Sequence, residues 1–247
     1  TVEIVDIAGL VKGASKGEGF GNQFLGNIRE TDAILHVLRC FDDDNIIHVD
    51  GSIDPIRDKE TIDIELQLKD LETADKKLEK VKRAARTGNK DAQKEETALI
   101  KVKEGLEAGI SVRAIELTDS ERDDFIDVVQ FITDKPVMYV CNVDETSAVS
   151  GNKYVEKVKA AVANESAEVI FLAVGTESDI NELEEYEERQ MFLEDLGLEE
   201  AGSAKLIRGA YRLLNLQTYF TAGVKEVRAW TIPIGATAPQ AAGVIHT

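Results

Sequence analysis

The chain has 247 residues, a formal net charge of −18 and 43% hydrophobic residues. This hydrophobic content suffices for a packed core and excludes a disordered chain, and no apolar run reaches the roughly 20 residues that a membrane-spanning helix requires. The strong negative charge argues against a surface that coats nucleic acid along its whole extent.

Four short apolar runs predict buried parallel strands, at residues 1–5, 33–41, 135–142 and 168–174. The runs are continuously apolar, as is typical when helices cover both faces of a sheet. An amphipathic stretch at 152–166 predicts a helix between the last two strands. This alternation of strand and helix indicates an α/β fold.

The two cysteines, Cys40 and Cys141, lie in or beside these apolar runs. We expect both to be buried free thiols, which suits the reducing cytoplasm. The chain opens on TVEIVDIAG, which is not a signal sequence, and the three histidines and two cysteines show no metal-ligand spacing. These features predict a cytoplasmic protein without a structural zinc site.

Residues 58–109 interrupt the strand and helix alternation with two stretches in which apolar residues recur every three or four positions. A turn at 86–91 separates them, so we predict an antiparallel helical hairpin. Its tip carries eight basic residues against two acidic ones, a net charge of +6, and no aromatic residue. The basic residues are Lys76, Lys77, Lys80, Lys82, Arg83, Arg86, Lys90 and Lys94.

The basic tip has two interpretations. The lysines and arginines can simply be solvated on an exposed helix, or they can contact the phosphate backbone of ribosomal RNA. Without aromatic side chains, base stacking is not expected in either case.

The last third of the chain contains two helical patterns followed by two β-rich runs. An acidic helical stretch at 181–197 is followed by a second helical pattern at 204–215. Two β-rich runs at 218–222 and 227–232 then predict a hairpin that opens a small β-containing domain.

The segment DIAGLVKGASKGEGFGN, residues 6–22, follows the first predicted strand. Asp6 at the strand end can hold Mg²⁺ through water, and Gly9 has no Cβ to keep its N–H from a terminal phosphate. The further glycines permit a segment that orders only when the phosphate is present. A flexible surface loop is the alternative interpretation.

Two more polar segments follow predicted strands. In CNVDE, residues 141–145, Asn142 can contact a purine ring nitrogen and Glu145 can reach the base edge, although Asn and Asp also favour plain turns. In LAVGTE, residues 172–177, backbone N–H groups of small residues can read a base. The three segments together favour a nucleotide site.

Four runs of this sequence resemble the YchF / Obg-like ATPase family of translation-factor-class P-loop NTPases: residues 6–31, 36–51, 142–145 and 216–247. The resemblance implies a P-loop NTPase-type, mostly parallel α/β sheet, incomplete at its N-terminus. It implies an inserted antiparallel coiled-coil hairpin and a truncated β-grasp TGS domain. The implied domains are a nucleotide-binding G domain at 1–57 and 116–208, a helical arm at 58–115 and the start of the TGS domain at 209–247.

The same resemblance implies a cytoplasmic, ribosome-associated, redox- and translation-linked regulatory NTPase. It would hydrolyse ATP, with GTP as a further substrate, to the diphosphate and phosphate, using Mg²⁺. Ribosomal RNA and nucleotide are the implied partners, and neither membrane nor DNA is expected. The alternative is a nucleotide-gated adaptor for ribosome or RNA, in which hydrolysis is incidental.

Residue roles follow from the matched motifs. Asp6 and Gly9 fall in the third nucleotide motif of the family. The base-reading motif matches Asn142, Val143 and Glu145, and the fifth motif matches Ala173, Val174 and Gly175.

Base choice can be argued from Val143 and Glu145. Guanine-specific relatives have Lys and Asp at these positions, in the pattern Asn-Lys-x-Asp. Glu145 is one methylene longer than Asp, so its carboxylate no longer meets guanine in the same plane. By analogy with base readout, we expect this to weaken guanine binding by about 1–3 kcal/mol and so to favour adenine.

The catalytic residue has one candidate. Leu10 stands where many GTPases place a water-orienting Gln, so hydrolysis is slow or uses another group. His36 is the candidate that the resemblance favours, and a buried core histidine is the alternative. His48 and His246 receive no role.

The family's phosphate-binding Gly-x-x-x-x-Gly-Lys-Ser/Thr loop does not occur in these 247 residues. That loop supplies the lysine, the backbone cradle and the Mg²⁺-binding hydroxyl. We therefore expect these 247 residues alone to be inactive in hydrolysis.

Overall fold

The computed structural model describes residues 2–7, 21–48, 51–165 and 167–245. The chain divides into two compact units. The sheet unit comprises Thr1–Val5, Leu35–Asp54 and Val137–Thr247, and the hairpin unit comprises Asp6–Ile34 and Pro55–Pro136.

The α-helices and strands are listed in chain order. They are α1 Gly21–Arg29, β1 Ile34–Arg39, α2 Pro55–Arg86, α3 Lys90–Glu107, α4 Asp119–Glu121, β2 Val137–Asn142, α5 Lys153–Ala161, β3 Glu168–Leu172, α6 Val174–Glu182, α7 Tyr186–Asp195, α8 Gly202–Leu213, β4 Leu216–Ala222, β5 Val227–Pro233 and α9 Ala238–Ile245.

The three strands β1, β2 and β3 form one sheet in that order. β2 and β3 are parallel, with Met138 opposite Glu168 at one end and Asn142 opposite Leu172 at the other. Because parallel strands end at the same edge, the segments that follow β2 and β3 emerge side by side.

β1 joins the other edge of β2. The Ile34 N–H donates to the Pro136 carbonyl at 2.9 Å, and the Cys40 N–H donates to the Asn142 carbonyl at 2.8 Å. The bonds advance by six residues on both strands, so β1 is parallel to β2 and its carboxyl end lies at the same edge.

The continuous apolar pattern of β2 reflects burial on both faces, since Val137 through Cys141 are all buried. Met138 and Val140 form a core with Leu172, against which Leu206 of α8 packs. Gly209 permits this close approach of α8, because a Cβ there would lie 2.7 Å from the Met138 sulfur.

In the tail, β4 and β5 form the predicted antiparallel hairpin, with Tyr219 opposite Trp230. The Gly223 N–H donates to the Glu226 carbonyl at 2.9 Å and closes the turn. The following helix α9 was not predicted from its Pro-, Gly- and Ala-rich sequence. The Tyr219 hydroxyl donates to the Ala241 carbonyl at 2.8 Å, which holds α9 against the hairpin.

The hairpin unit is built around α2 and α3, which pack through the predicted apolar seam. The seam residues include Ala74, Leu78, Val81, Ala85, Ala92, Leu99, Val102 and Leu106. Asn89 caps α3, because its side-chain oxygen accepts from the N–H groups of Asp91 at 3.0 Å and Ala92 at 3.1 Å. The predicted helical hairpin is therefore present.

The base of the hairpin is fixed by a buried carboxylate that sequence patterns did not reveal. Asp70 is 0% exposed and accepts hydrogen bonds from the Ile132 N–H at 2.9 Å and from the Thr133 N–H and hydroxyl, both at 2.7 Å. These bonds join α2 to the short helical turn that precedes β2.

The predicted strand at residues 1–5 is wrong for the part that the structure describes. Residues 2–7 have no regular secondary structure, and residues 3–6 are exposed. An apolar run becomes a strand only when a neighbouring chain satisfies its backbone groups, and these residues have no ladder partner within the described residues. Across the same described ranges, no helix is long and apolar enough to cross a membrane.

Candidate functional site

Two of the three predicted motifs meet at the carboxyl edge of the sheet. Asn142 is the last residue of β2, and its side-chain oxygen accepts a hydrogen bond from the Val174 N–H at 3.1 Å. Val174 begins α6 directly after β3 and is 47% exposed. The amide of Asn142 therefore positions the start of α6 beside the loop that follows β2.

Val143 is the buried residue of this loop segment. It is 3% exposed, and its N–H donates to the Leu172 carbonyl at 3.0 Å. The side chain is thus packed in the protein rather than presented at the surface. Val143 holds the loop in place next to the end of β3.

Glu145 is exposed and begins the 3-10 turn Glu145–Ser147. The preceding Asp144 caps this turn, accepting from the Ser147 N–H at 3.0 Å. The Thr146 hydroxyl, followed by the Ser147 donors, lowers the pKa of Asp144, so its carboxylate stays ionised and keeps the turn closed. Sequence reasoning missed Asp144, although Asp is among the residues preferred at the N-cap of a helical turn.

The Glu145 carboxylate makes no hydrogen bond to the described residues, so it can accept from a ligand. It stands at the start of a turn whose backbone is fixed by Asp144 and whose preceding loop is fixed by Val143. Such a preorganised acceptor can read the edge of a base.

The start of α6 presents backbone rather than side chains. Ala173, the N-cap residue, has no side-chain capping bond, and Gly175 is exposed with no atom within 4 Å of the place where a Cβ would stand. The first N–H groups of a helix have no intrahelical acceptor. The arrangement can therefore accept a ring or an acceptor atom close to the backbone of Gly175.

Asp6, the candidate magnesium residue, is exposed. It belongs to the hairpin unit, whereas Asn142 and Val174 belong to the sheet unit. Gly9 and Leu10 lie outside the described residues. Within the described ranges no group of three or more His, Cys, Asp or Glu side chains is arranged to hold a metal ion.

His36, the candidate catalytic residue, lies in the middle of β1 and is half-buried. Its ring centroid is 5.6 Å from that of Tyr139, whose hydroxyl donates to Glu165 at 2.6 Å. A mid-strand position is three residues short of the strand end at which ligands bind in α/β sheets. This placement favours the alternative of a core histidine. His48 lies in the loop beyond the carboxyl end of β1, and His246 is outside the described residues.

The loop after β1 is organised by Arg39, which sequence reasoning missed. Its guanidinium donates to the carbonyls of Phe41 at 3.2 Å, Asp43 at 3.2 Å and Ile46 at 2.8 Å. The guanidinium also lies over the Phe41 ring, 4.7 Å from the centroid. The Arg39 guanidinium thus fixes the backbone of this loop, which contains no helix or strand.

The amino end of α5 fastens the same loop. The Asn152 amide donates to the Cys40 carbonyl at 2.7 Å, and the Tyr154 hydroxyl donates to Asp42 at 2.6 Å. The Tyr154 hydrogen bond is the main reason why the pKa of Asp42 is lowered. The Asn152 amide also donates to the Ser147 hydroxyl at 3.3 Å, so one residue joins the loops after β1 and β2.

Comparisons with known proteins show the family of the chain. A family model named YchF-GTPase_C, described as a protein of unknown function (DUF933), matches residues 216–247. A ribosome-binding ATPase YchF from Escherichia coli O157:H7 is 54% identical over the whole chain, which covers 67% of that relative. The chain belongs to the YchF family. A YchF of the same description from Bacillus subtilis is 51% identical over 99% of the chain, again covering 67% of the relative.

A solved structure supports the family assignment and the α/β fold. The Schizosaccharomyces pombe YchF GTPase matches with a TM-score of 0.83 and 39% identity, over 97% of this chain and 65% of that chain. The chain thus spans about two thirds of the length of the YchF proteins that it matches. The predicted fold class is confirmed by this match.

The two cysteines are confirmed as buried free thiols in this YchF chain, each 0% exposed. A hydrogen bond from the Cys40 side chain is the largest influence on Cys141 and lowers the pKa of that thiol, against the opposing effect of burial. The two thiols therefore lie near each other, Cys141 within β2 and Cys40 directly after β1.

The predicted basic residues of the hairpin tip lie on α2 and α3, and all except Lys77 are exposed. Lys77 pairs with Glu95 at 3.0 Å, and Lys76 pairs with Glu72. Lys94 lies 4.0 Å from Asp91. Within the described residues, the remaining five have no carboxylate within salt-bridge distance: Lys80, Lys82, Arg83, Arg86 and Lys90. The tip thus keeps a net positive surface.

Proposed function

We propose that the protein containing this chain is a ribosome-associated, redox- and translation-linked regulatory NTPase that hydrolyses ATP to ADP and phosphate. GTP is a further substrate in this proposal. The hydrogen bond from Val174 N–H to Asn142 carries the nucleotide part, because it unites two motifs at the carboxyl edge of a parallel sheet. Relatives in the YchF family are described as a ribosome-binding ATPase and a GTPase, which supports the activity and the partner.

In this proposal Asn142 and the backbone of Ala173, Val174 and Gly175 surround the base, and Glu145 reads its edge. Val143 supports the loop from inside. Glu145 replaces the Asp of guanine-specific sites and is one methylene longer, so it favours adenine by lowering the affinity for guanine. Its exposure on a fixed turn supports this role.

Asp6 and Gly9 serve the phosphate end of the nucleotide in this proposal. An exposed carboxylate such as Asp6 is a hard oxygen ligand of the kind that Mg²⁺ takes, directly or through water. The bound ion would neutralise charge on the phosphates. We propose that the chain of 247 residues alone does not hydrolyse nucleotide, since it contains no Gly-x-x-x-x-Gly-Lys-Ser/Thr sequence.

The attacking water needs a group that orients it. Leu10 has no hydrogen-bonding atom in its side chain, so another residue must act. His36 is the sequence candidate, but its mid-strand position beside Tyr139 suits a structural role better. His36 stays the proposed residue, with a core histidine as the alternative.

The redox link in the proposal is supported by the proximity of Cys40 and Cys141. Cys40 donates its backbone N–H to Asn142, so the thiol pair adjoins the residue that positions the base motif. A chemical change at either sulfur would therefore disturb Asn142.

The domain assignment is also part of the proposal. We assign 1–57 and 116–208 to the G domain, 58–115 to a coiled-coil arm and 209–247 to the start of a TGS domain. The family-model match over 216–247 supports the last boundary. The protein is proposed to act in the cytoplasm, on ribosomes and ribosomal RNA rather than on membranes or DNA.

The adaptor alternative is favoured by one observation, the exposed basic tip of the hairpin. A test separates it from the ATPase proposal. Steady-state ATP hydrolysis by the full-length protein is measured with and without purified ribosomes. Stimulation by ribosomes supports the regulatory ATPase. Ribosome binding that depends on nucleotide, without stimulated hydrolysis, would favour the adaptor.

A further inference from the structure

A side chain of α6, that of Glu177, reaches the start of α8. Its carboxylate leaves its own helix and accepts two backbone hydrogen bonds there. The Gly202 N–H donates to one oxygen at 2.5 Å, and the Ser203 N–H donates to the other oxygen at 2.9 Å. Both carboxylate oxygens are therefore engaged, and the two helices are joined across 25 positions of the chain.

The cap of α8 thus comes from outside the helix. Its own N-cap residue is Ala201, which has no polar side-chain atom, and the first N–H groups of a helix have no intrahelical acceptor. The Glu177 carboxylate satisfies two of these groups through charge-assisted hydrogen bonds and interacts favourably with the helix dipole. The position of α8 is therefore linked to that of α6.

The start of α8 is also packed closely against the segment that follows β3. Gly202 is buried, and a Cβ at this position would lie 2.6 Å from the Leu172 Cβ and 2.9 Å from a Glu177 oxygen. Leu172 is the last residue of β3, and Val174 is the first residue of α6. A shift of α8 would consequently disturb the end of β3 and the start of α6.

Glu177 lies one helical turn after the proposed base segment. It follows Val174 by three residues, and its N–H donates to the Ala173 carbonyl at 3.0 Å. The neighbouring Thr176 is 4% exposed, and its hydroxyl has no hydrogen-bond partner in the described part of the chain. Glu177, rather than Thr176, is thus the polar side chain of this turn that fixes α6 to another element.

The other end of α8 is joined to the β hairpin of β4 and β5. The Tyr211 and Thr231 hydroxyls are hydrogen-bonded to each other at 3.1 Å. Just before β4, the Asn215 carbonyl accepts from the Ile234 N–H at 2.8 Å. A continuous set of contacts therefore leads from the base segment through Glu177 and α8 to the β hairpin, all within the sheet unit.

We propose that Glu177 is a positioning residue for nucleotide binding, which couples the base segment to the β hairpin through α8. The proposal rests on the proposed function, in which the start of α6 surrounds the base. The Glu177 carboxylate does not face the base, because it is turned towards α8. It therefore affects the affinity for ATP and for GTP alike, whereas Glu145 affects the choice between them.

The test compares two isosteric variants of the full-length protein, each of which removes one carboxylate from α6. Glu177→Gln keeps one acceptor oxygen and places an amide donor against the second N–H of α8. Glu182→Gln, at an exposed position of the same helix, is the matched control. Isothermal titration gives dissociation constants for non-hydrolysable analogues of ATP and GTP. Hydrogen–deuterium exchange follows the amides of α8 and β5 with and without the ATP analogue.

In the wild type, the ATP analogue is expected to slow exchange at the start of α8 and in β5. Glu177→Gln should raise both dissociation constants about fivefold or more, the lower end of the usual coupling between sites, and leave their ratio unchanged. The protection of α8 by the analogue should be lost in this variant even at saturating ligand. Glu182→Gln should behave like the wild type.

Unchanged affinities in Glu177→Gln would overturn the proposal. Exchange at α8 that the ATP analogue does not alter in the wild type would also overturn it, and this result is decisive even if Glu177→Gln does not fold. A changed ratio of ATP to GTP affinity would overturn it as well, because Glu177 would then select the base. These three outcomes leave the proposed function standing. Failure of the wild type to bind either analogue would instead refute the proposed function, and the coupling with it.

Discussion

The side-chain oxygen of Asn142 and the backbone N–H of Val174 are joined by a hydrogen bond of 3.1 Å across 32 positions of the chain. This bond connects the loop after β2 with the first turn of α6. It places the exposed Glu145 and the open backbone of Gly175 at one edge of the sheet. The proposed base site rests on this contact.

Replacing Asn142 by Ala should therefore weaken nucleotide binding. The variant loses the acceptor for Val174 N–H, and the start of α6 is no longer positioned. The expected increase in the ATP dissociation constant of the full-length protein is about tenfold, the value of one well-placed hydrogen bond. Isothermal titration with a non-hydrolysable ATP analogue measures it.

Asn89→Ala is the matched control for Asn142→Ala. Asn89 also accepts backbone N–H groups, but at the start of α3 in the hairpin. Its loss should lower the free energy of unfolding by about 1 kcal/mol without changing nucleotide affinity. Equal loss of ATP affinity in both variants would mean that general stability, not the Asn142 contact, controls binding.

Asp70 should make the free energy of unfolding depend on pH. Burial raises the pKa of Asp70, against the hydrogen bonds from Thr133 and Ile132 that lower it. A raised folded-state pKa means that this contribution to stability is full below the usual value of 3.8 and is lost as the pH rises through the folded-state pKa. The advantage of wild type over Asp70→Asn should thus narrow as the pH increases through that range.

Asp70→Asn should nevertheless be destabilising at every pH in the range. Two N–H groups and a hydroxyl converge on the carboxylate, and an amide offers only one acceptor oxygen. We expect a loss of about 1–3 kcal/mol in urea unfolding. Asp75→Asn, an exposed position on the same helix, is the control and should have little effect. Equal destabilisation by the two variants would show that the buried hydrogen bonds of Asp70 do not stabilise the fold.

The fold could be predicted from the sequence where its cause is local. The strands β1, β2 and β3 follow from continuous apolar runs, and the hairpin follows from the spacing of its seam. The strand at 1–5 failed because a strand also requires a partner, which residues 2–5 do not have within the described ranges. α9 was missed because its Pro- and Gly-rich sequence contradicts the usual helical composition.

The candidate site was predictable only in part, for a similar reason. Motif residues such as Asn142 and Glu145 are visible in sequence. Arg39, which binds three carbonyls of its loop, and Asp70, which caps a turn more than 60 residues away, act through contacts that no periodicity encodes.

Gly202 should be intolerant of any side chain. A Cβ at this position, at the start of α8, would lie 2.6 Å from the Leu172 Cβ and 2.9 Å from the Glu177 carboxylate. Gly202→Ala should therefore lower the free energy of unfolding by about 1–3 kcal/mol. Gly26→Ala, in α1 where nothing lies within 4 Å, should instead raise it by about 0.5–1 kcal/mol.

Chemical denaturation followed by circular dichroism compares the two glycine variants. The predicted order is Gly26→Ala above wild type and Gly202→Ala below it. A neutral Gly202→Ala would show that α8 shifts easily from β3, contrary to the packing described.

The thiols of Cys40 and Cys141 should be protected in the folded protein. Both side chains are 0% exposed, so a thiol reagent can reach them only after the structure opens. The reaction with a chromogenic disulfide should be slow in buffer and fast in denaturant, where both thiols react. Rapid reaction of the folded protein would contradict the burial of this pair.

The most direct test of the account is a parallel equilibrium titration of the full-length protein with ATP and GTP, repeated with the Glu145→Asp variant. The account predicts tighter binding of ATP than of GTP by the wild type. It also predicts that the ratio moves towards GTP in the variant, because the shorter carboxylate meets guanine in the usual plane. Tighter binding of GTP by the wild type, or a ratio that Glu145→Asp leaves unchanged, would contradict the assignment of Asn142 to Glu145 as the segment that selects the base.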